Sequence, residues 1–293
     1  MNAINEHTKF NLPTLADRAM LVRLTRKLYQ PYAFDKVTTL KVELDTGVRK
    51  AGRFNKRLLL DCFELKECNQ AFNDVYTYHM LNTAPWLDDG VRVLPAASYF
   101  DYSQALRGLI DEAEKQVKRL AERWDIIVAD DMSRLGSLAC SEDYPTDIRS
   151  CYAAAVKYLP IPQTGDFRVE ISDEDRASLD NAIHEAEANV SKYLLAEMLE
   201  PIKRAAEKLA TPIGAEGSVF RNSLLTNISD VVARAKRLNV GDDEDIRALV
   251  GQIEQEFCRS FGAAPDMLRE DDTMREAAKA KLNEIMGRFE GLF

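Results

Sequence analysis

Three histidines (His7, His79, His184) and five cysteines (Cys62, Cys68, Cys140, Cys151, Cys258) are the residues of this 293-residue chain best suited to nucleophilic or metal chemistry. Their spacing supports little of it. His184-Glu185 lacks the second histidine, four positions on, that a zinc-binding helix face requires. No two cysteines stand in the CxxC pattern of a zinc or redox site. Cys62 and Cys68 with His79 form the best metal combination, but their separation is not that of a zinc knuckle, and packing along a helix accounts for all three. The phosphate-cradling GxxxxGK[ST] loop, a GxGxxG after a strand and the GxSxG elbow of serine hydrolases are absent. An odd cysteine count argues against a complete disulfide framework, so reduced, individually packed thiols are expected. No catalytic residue, metal ligand or cofactor is assigned, and an interaction role is favoured over catalysis.

Acidic clusters at Asp88-Asp89, Asp130-Asp131, Asp173 to Asp175, Asp242 to Asp245 and Glu270 to Asp272 could hold a divalent metal, and a metal-dependent phosphodiester enzyme is kept as a distant reading. Three of the clusters stand at expected helix starts, where carboxylates favour the positive dipole end, and none matches an EF-hand loop. The charge is divided unevenly. Residues 1–60 contain 12 Lys/Arg against 5 Asp/Glu, whereas the remaining 233 contain 27 against 43. Arg23, Arg26 and Lys27, then Arg49, Lys50, Arg53, Lys56 and Arg57, with Tyr29, Tyr32 and Phe54 nearby, are therefore the candidate phosphate contacts of a nucleic-acid-binding reading. The bland alternative is a solvated or internally paired face. Trp86, Tyr99 and Phe100 are candidate anchors for a protein partner, since aromatic rings supply contact area at low entropic cost; packing in the core is the competing reading.

The elements expected to position these groups are mostly helical. Residues 14–29 repeat apolar positions at helical spacing between Pro13 and Pro31, and residues 54–82 do so again until Pro85. Residues 37–44, VTTLKVEL, alternate apolar and polar positions as a half-buried strand does. The segment 82–95 reads as a structured loop with a short strand at 91–94. From Tyr99 to beyond Leu135 a seam at spacings of three and four predicts a helix of about 40 residues, roughly 60 Å long. A shorter helix is expected over 144–158, then a strand at 167–171 able to pair with 37–44. A second long helix starts at Ser172, with Asp175 completing a variant capping box, and runs to Pro212, with Pro201 expected to kink it. Helical runs near 218–238, 244–261 and 266–290 follow.

The resulting fold class is mainly α: a long antiparallel, coiled-coil-like helical hairpin with a small β element and a C-terminal helical module. Three regions are expected, a basic N-terminal helix over 1–34, a strand plus long-helix hairpin over 35–212, and the C-terminal module over 213–293. No stretch reaches the roughly 20 apolar residues of a membrane span, and the first residues lack the apolar core of a signal peptide, so a cytoplasmic protein without membrane contact is expected.

Residues 83–90, TAPWLDDG, with Val93-Leu94-Pro95-Ala96 and Tyr99, then Tyr144-Pro145, Tyr158-Leu159-Pro160-Ile161-Pro162 and Gly165 to Val169, resemble the DUF3150 family of uncharacterised phage and mobile-element proteins. The resemblance spans roughly residues 35–200 and implies a shared fold and a phage or mobile-element setting, with no catalytic residue to carry over. Together these readings lead to a helical adaptor or regulator working through protein contacts in an assembly that could handle DNA. Direct nucleic-acid binding is the alternative, and self-association is left open.

Overall fold

A computed structural model describes residues 15–86, 90–162, 172–215, 221–262 and 266–289. The chain is mainly helical with small antiparallel sheets. In chain order, a single turn α1 (Leu15–Arg18) leads into strand β1 (Ala19–Lys27). The helix expected over 14–29 is thus mostly strand, because Ala19 to Arg23 pair in antiparallel register with Pro95 to Val91. That tertiary pairing overrides a helical spacing that Val22 and Thr25, both β-branched, support weakly.

Strand β2 (Tyr32–Phe34), helix α2 (Lys36–Thr46) and strand β3 (Asn55–Arg57) come next, β2 pairing antiparallel with β3. The strand expected at 37–44 is therefore a helix. Caps decide it: the Asp35 side chain accepts from the Thr38 N–H at 2.7 Å, and Gly47, at φ +70°, ends the helix in the left-handed region open to glycine. The expected pairing of 37–44 with a strand at 167–171 falls with it, and residues 167–171 lie outside the described residues.

The helix expected over 54–82 begins only at Phe63, as α3 (Phe63–Asn82), because Leu59 and Asp61 have φ of +50° and +61°, which no right-handed helix accommodates. Strands β4 (Ala84–Pro85) and β5 (Val91–Pro95) pair with each other, as the expected strand at 91–94 requires. The single long helix expected from Tyr99 is two, α4 (Tyr99–Glu122) and α5 (Trp124–Leu135), interrupted at Arg123. The stretch 144–158, expected to be helical, is a short 3-10 turn over Ile148–Cys151 followed by strand β6 (Ala153–Leu159).

Helix α6 (Asp173–Ala210) starts as expected: the Ser172 hydroxyl accepts from the Asp175 N–H at 3.0 Å and donates to the Asp175 carboxylate at 2.7 Å. It runs through Pro201. The rest is α7 (Asn222–Leu238), α8 (Glu244–Gln252) continuing through a π-helical turn into α9 (Arg259–Phe261), then α10 (Met267–Glu270) and α11 (Asp272–Arg288).

Two compact units divide this chain discontinuously. One comprises residues 1–23, 81–99 and 158–293, the other 24–80 and 100–157. In the first, α6 packs on α7 and α11, and its row Ala186, Val190, Leu194, Met198, Ile202, Ala205 and Leu209 is buried. Arg275 of α11, 3% exposed, donates to the Lys208 and Thr211 carbonyls at 2.9 and 2.7 Å, capping the carbonyl end of α6 beside the Thr211 N–H bond to Lys208 at 3.3 Å. In the second, the last residues of β1 border β6 through a Thr25 hydroxyl bond to the Ala155 carbonyl at 3.2 Å. Helix α4 buries Tyr102, Leu106, Ala113, Val117 and Leu120 there. The two long helices thus belong to different units, and the apolar face of α6 is covered by α7 and α11.

Candidate interaction surface

Three of the five cysteines are held in an inert state. Burial pushes the Cys68 thiol up to about 12, and burial likewise raises Cys62 and Cys258, so these thiols stay protonated where a nucleophile needs a thiolate. Tyr29 rises to about 12 for the same reason. His79 is buried, its Nδ1 2.7 Å from the Tyr102 hydroxyl, and is not joined with Cys62 and Cys68 into a metal-holding group. Exposed His184 has Glu187 at 3.5 Å, and His7 lies outside the described residues. No cluster of three or more potential metal ligands occurs among the described residues.

The acidic clusters have structural work. Asp243 caps α8 by accepting from the Asp245 and Ile246 N–H groups at 2.9 and 3.1 Å, and Asp271 caps α11 through Thr273 and Met274 at 2.8 and 3.1 Å. Asp131, buried, accepts from the Leu59 N–H at 2.8 Å, the Tyr144 hydroxyl at 2.7 Å and the Arg134 guanidinium at 2.8 Å. Burial alone would raise its carboxyl, but these donors outweigh it and hold the group below the usual carboxylate range. Asp88 and Asp89 are outside the described residues.

The basic residues separate into two kinds. Lys56 is 4% exposed, with Nζ 2.5 Å from Asp143, 3.5 Å from Asp35 and donating to the Leu138 carbonyl at 2.8 Å. It fastens the β2–β3 pair to residues 138–143 and offers no charge to a ligand. Arg26 donates to the Phe72 carbonyl at 3.2 Å and Asn73 at 2.7 Å and lies 4.6 Å from the centre of the Tyr76 ring, while Lys27 donates to the Ser150 carbonyl at 2.7 Å. Arg23, Arg49, Lys50 and Arg57 are exposed and form no ion pair among the described residues, and Arg53 lies over the Phe34 ring at 4.4 Å. The aromatic candidates separate as well. Trp86 is buried in the core of the first unit, Tyr99 meets Tyr158 edge-on at 5.2 Å, and Phe100 is 79% exposed.

The feature that sequence reasoning missed is α2. None of its residues is buried, and Val37, Leu40 and Leu44, at i, i+3 and i+7, are 63%, 46% and 82% exposed. They form one stripe on the helix. The opposite side, Thr39, Val42 and Glu43, meets the 48–54 loop around a groove of about 230 Å³ with Val48 and Phe54 in its wall. That side is held by an Asp35 N–H bond to the Phe54 carbonyl at 2.9 Å and a Phe54 N–H bond to the Thr39 hydroxyl at 3.0 Å. The missed signal was the Asp35 cap and Gly47 terminator bracketing that i, i+3, i+7 row.

No family model, no curated protein and no solved structure matches this chain.

Proposed function

We propose that this protein is a non-enzymatic adaptor or regulator that docks a protein partner through the exposed apolar stripe of α2. The observation that carries the reading is the capped helix over 36–46 that buries none of its residues yet keeps its aliphatic row in register. A helix of eleven residues with Val37, Thr38, Thr39 and Val42 in it is a weak former, and helices shorter than about 12–15 residues are marginal in water. Covering the stripe would remove that deficit. The protonated Cys62, Cys68 and Cys258 thiols and the structural carboxylates support a binding role over catalysis. A phage or mobile-element assembly is the setting implied by the DUF3150 resemblance.

Affinity capture on the full chain, run in parallel with a Leu40→Asp/Leu44→Asp chain, tests this reading. A stoichiometric protein partner retained by the first and lost by the second is expected. Identical recovery on both chains, or none on either, would overturn it.

A second reading, single-stranded nucleic-acid binding, draws on Arg53 stacked over Phe34 beside exposed Tyr32, since cations interleaved with aromatic faces suit bases. It requires oligonucleotide binding that weakens steeply with salt and falls when Arg49, Lys50 and Arg53 are neutralised. Absence of binding at low salt removes it.

A further inference from the structure

We infer that the partner presents an acidic amphipathic helix, with apolar side chains laid along Val37, Leu40 and Leu44 and carboxylates facing the surrounding cations; this rests on the docking reading above and names its chemistry. Shape is the first argument. Seven residues of helix place the stripe over roughly 10 Å, the footprint of another helix face rather than of a point ligand. The groove on the other side of α2, about 230 Å³, falls below the roughly 300–1,000 Å³ of a small-molecule site.

Charge complementarity selects among helices. Residues 35–57 hold seven Lys/Arg against three Asp/Glu, and with the Lys56–Asp35 pair set aside six remain against two. Lys41 lies one turn from both Val37 and Leu44, and Lys36 one turn before Leu40, so an ammonium group stands on each side of the stripe, where flanking charges choose the partner of a paired helix. Among the acids, Glu43 is drawn inward by accepting the Lys50 N–H at 2.8 Å, Asp35 is spent on the N-cap and Lys56, and Asp45 alone opposes the lysines. Like charge opposes the same stripe of a second copy. The stripe is aliphatic, so it offers nucleobases no ring to stack on.

The deciding experiment is a display selection of peptides of about 16 residues on the full wild-type chain, with counter-selection on Leu40→Asp/Leu44→Asp. Circular dichroism and thermal melts first establish that both chains fold alike, as substitution at exposed positions predicts. Enriched peptides should be net negative, with apolar residues at i, i+3 or i+4, and i+7. They should bind the wild type at least about tenfold more tightly than either the Leu40→Asp/Leu44→Asp or a Lys36→Glu/Lys41→Glu chain. Stripe-dependent peptides that are neutral or basic would overturn the acidic partner and leave the docking reading standing. Enrichment without stripe dependence would overturn both. A dT20 oligonucleotide displacing the selected peptides would replace the inference with nucleic-acid binding. Concentration-dependent self-association lost in the Leu40→Asp/Leu44→Asp chain would replace it with a second copy.

Discussion

Helices α2 and α6 both follow a side-chain N-cap and both set aliphatic residues a turn apart, but α6 hides its row under α7 and α11 from Ala186 onward whereas α2 hides none. The difference separates two uses of one pattern. A covered row stabilises the unit that contains it, since burying a Leu or Ile side chain contributes about 1.5–3 kcal/mol. An uncovered row contributes almost nothing to folding, and the chain keeps it ordered by hydrogen bonds instead: Thr38 to Asp35, Phe54 to Thr39, and Lys56 to Asp35.

The largest expected effect lies in the covered row. Ile202 is 0% exposed, and Ile202→Ala should cost about 3–4 kcal/mol through lost transfer energy and a cavity. The chain's two tryptophans report on different units, so denaturant unfolding followed by Trp86 in a Trp124→Phe background should register the loss. An unchanged midpoint would break the assignment of α6 as the centre of its unit.

Next is the buried carboxylate that organises the second unit. Asp131→Asn, which deprives Arg134 of its ionic partner, should cost about 2–3 kcal/mol at neutral pH. Because the folded carboxyl titrates below its ordinary value, the ion's contribution is complete above about pH 4 and disappears as pH falls through the depressed folded value. The gap between wild type and variant should therefore close in acid. A gap that widens below pH 4 would contradict the arrangement.

Arg275→Met, removing the donors that close the end of α6, should cost about 2 kcal/mol, again read at Trp86. The smallest effect sharpens the comparison most. Leu44→Asp, at a side chain 82% exposed, should change stability by no more than about 0.5 kcal/mol while abolishing partner capture. A loss as large as that at Ile202 would mean the stripe is part of a core.

Much of the helical content was legible in the residues. The Ser172 cap, the strand at 91–95 and the C-terminal helical runs follow from local chemistry, because caps, breakers and turn residues act over a few positions. Residues 19–27 and 153–159 misled because a strand takes its state from a pairing partner distant in the sequence, which no local pattern reveals. At 37–44 period two and period 3.6 compete over eight residues, too few for periodicity to arbitrate, and the caps outside the run settle the matter. Composition announced the basic N-terminal region, but it could not distinguish Lys56, sealed between two carboxylates, from Arg49 and Lys50 in solvent.

What the sequence determined alone is therefore the helical bias, the caps, the scarcity of catalytic motifs and the basic start with its acidic remainder. Only the tertiary structure decided which apolar row is covered, which lysine is consumed and how residues far apart in the chain assemble into two discontinuous units. The physical reason is range. Capping and propensity operate within a few residues, whereas burial depends on whichever distant segment arrives to exclude water, and for Val37, Leu40 and Leu44 none of the described residues does so.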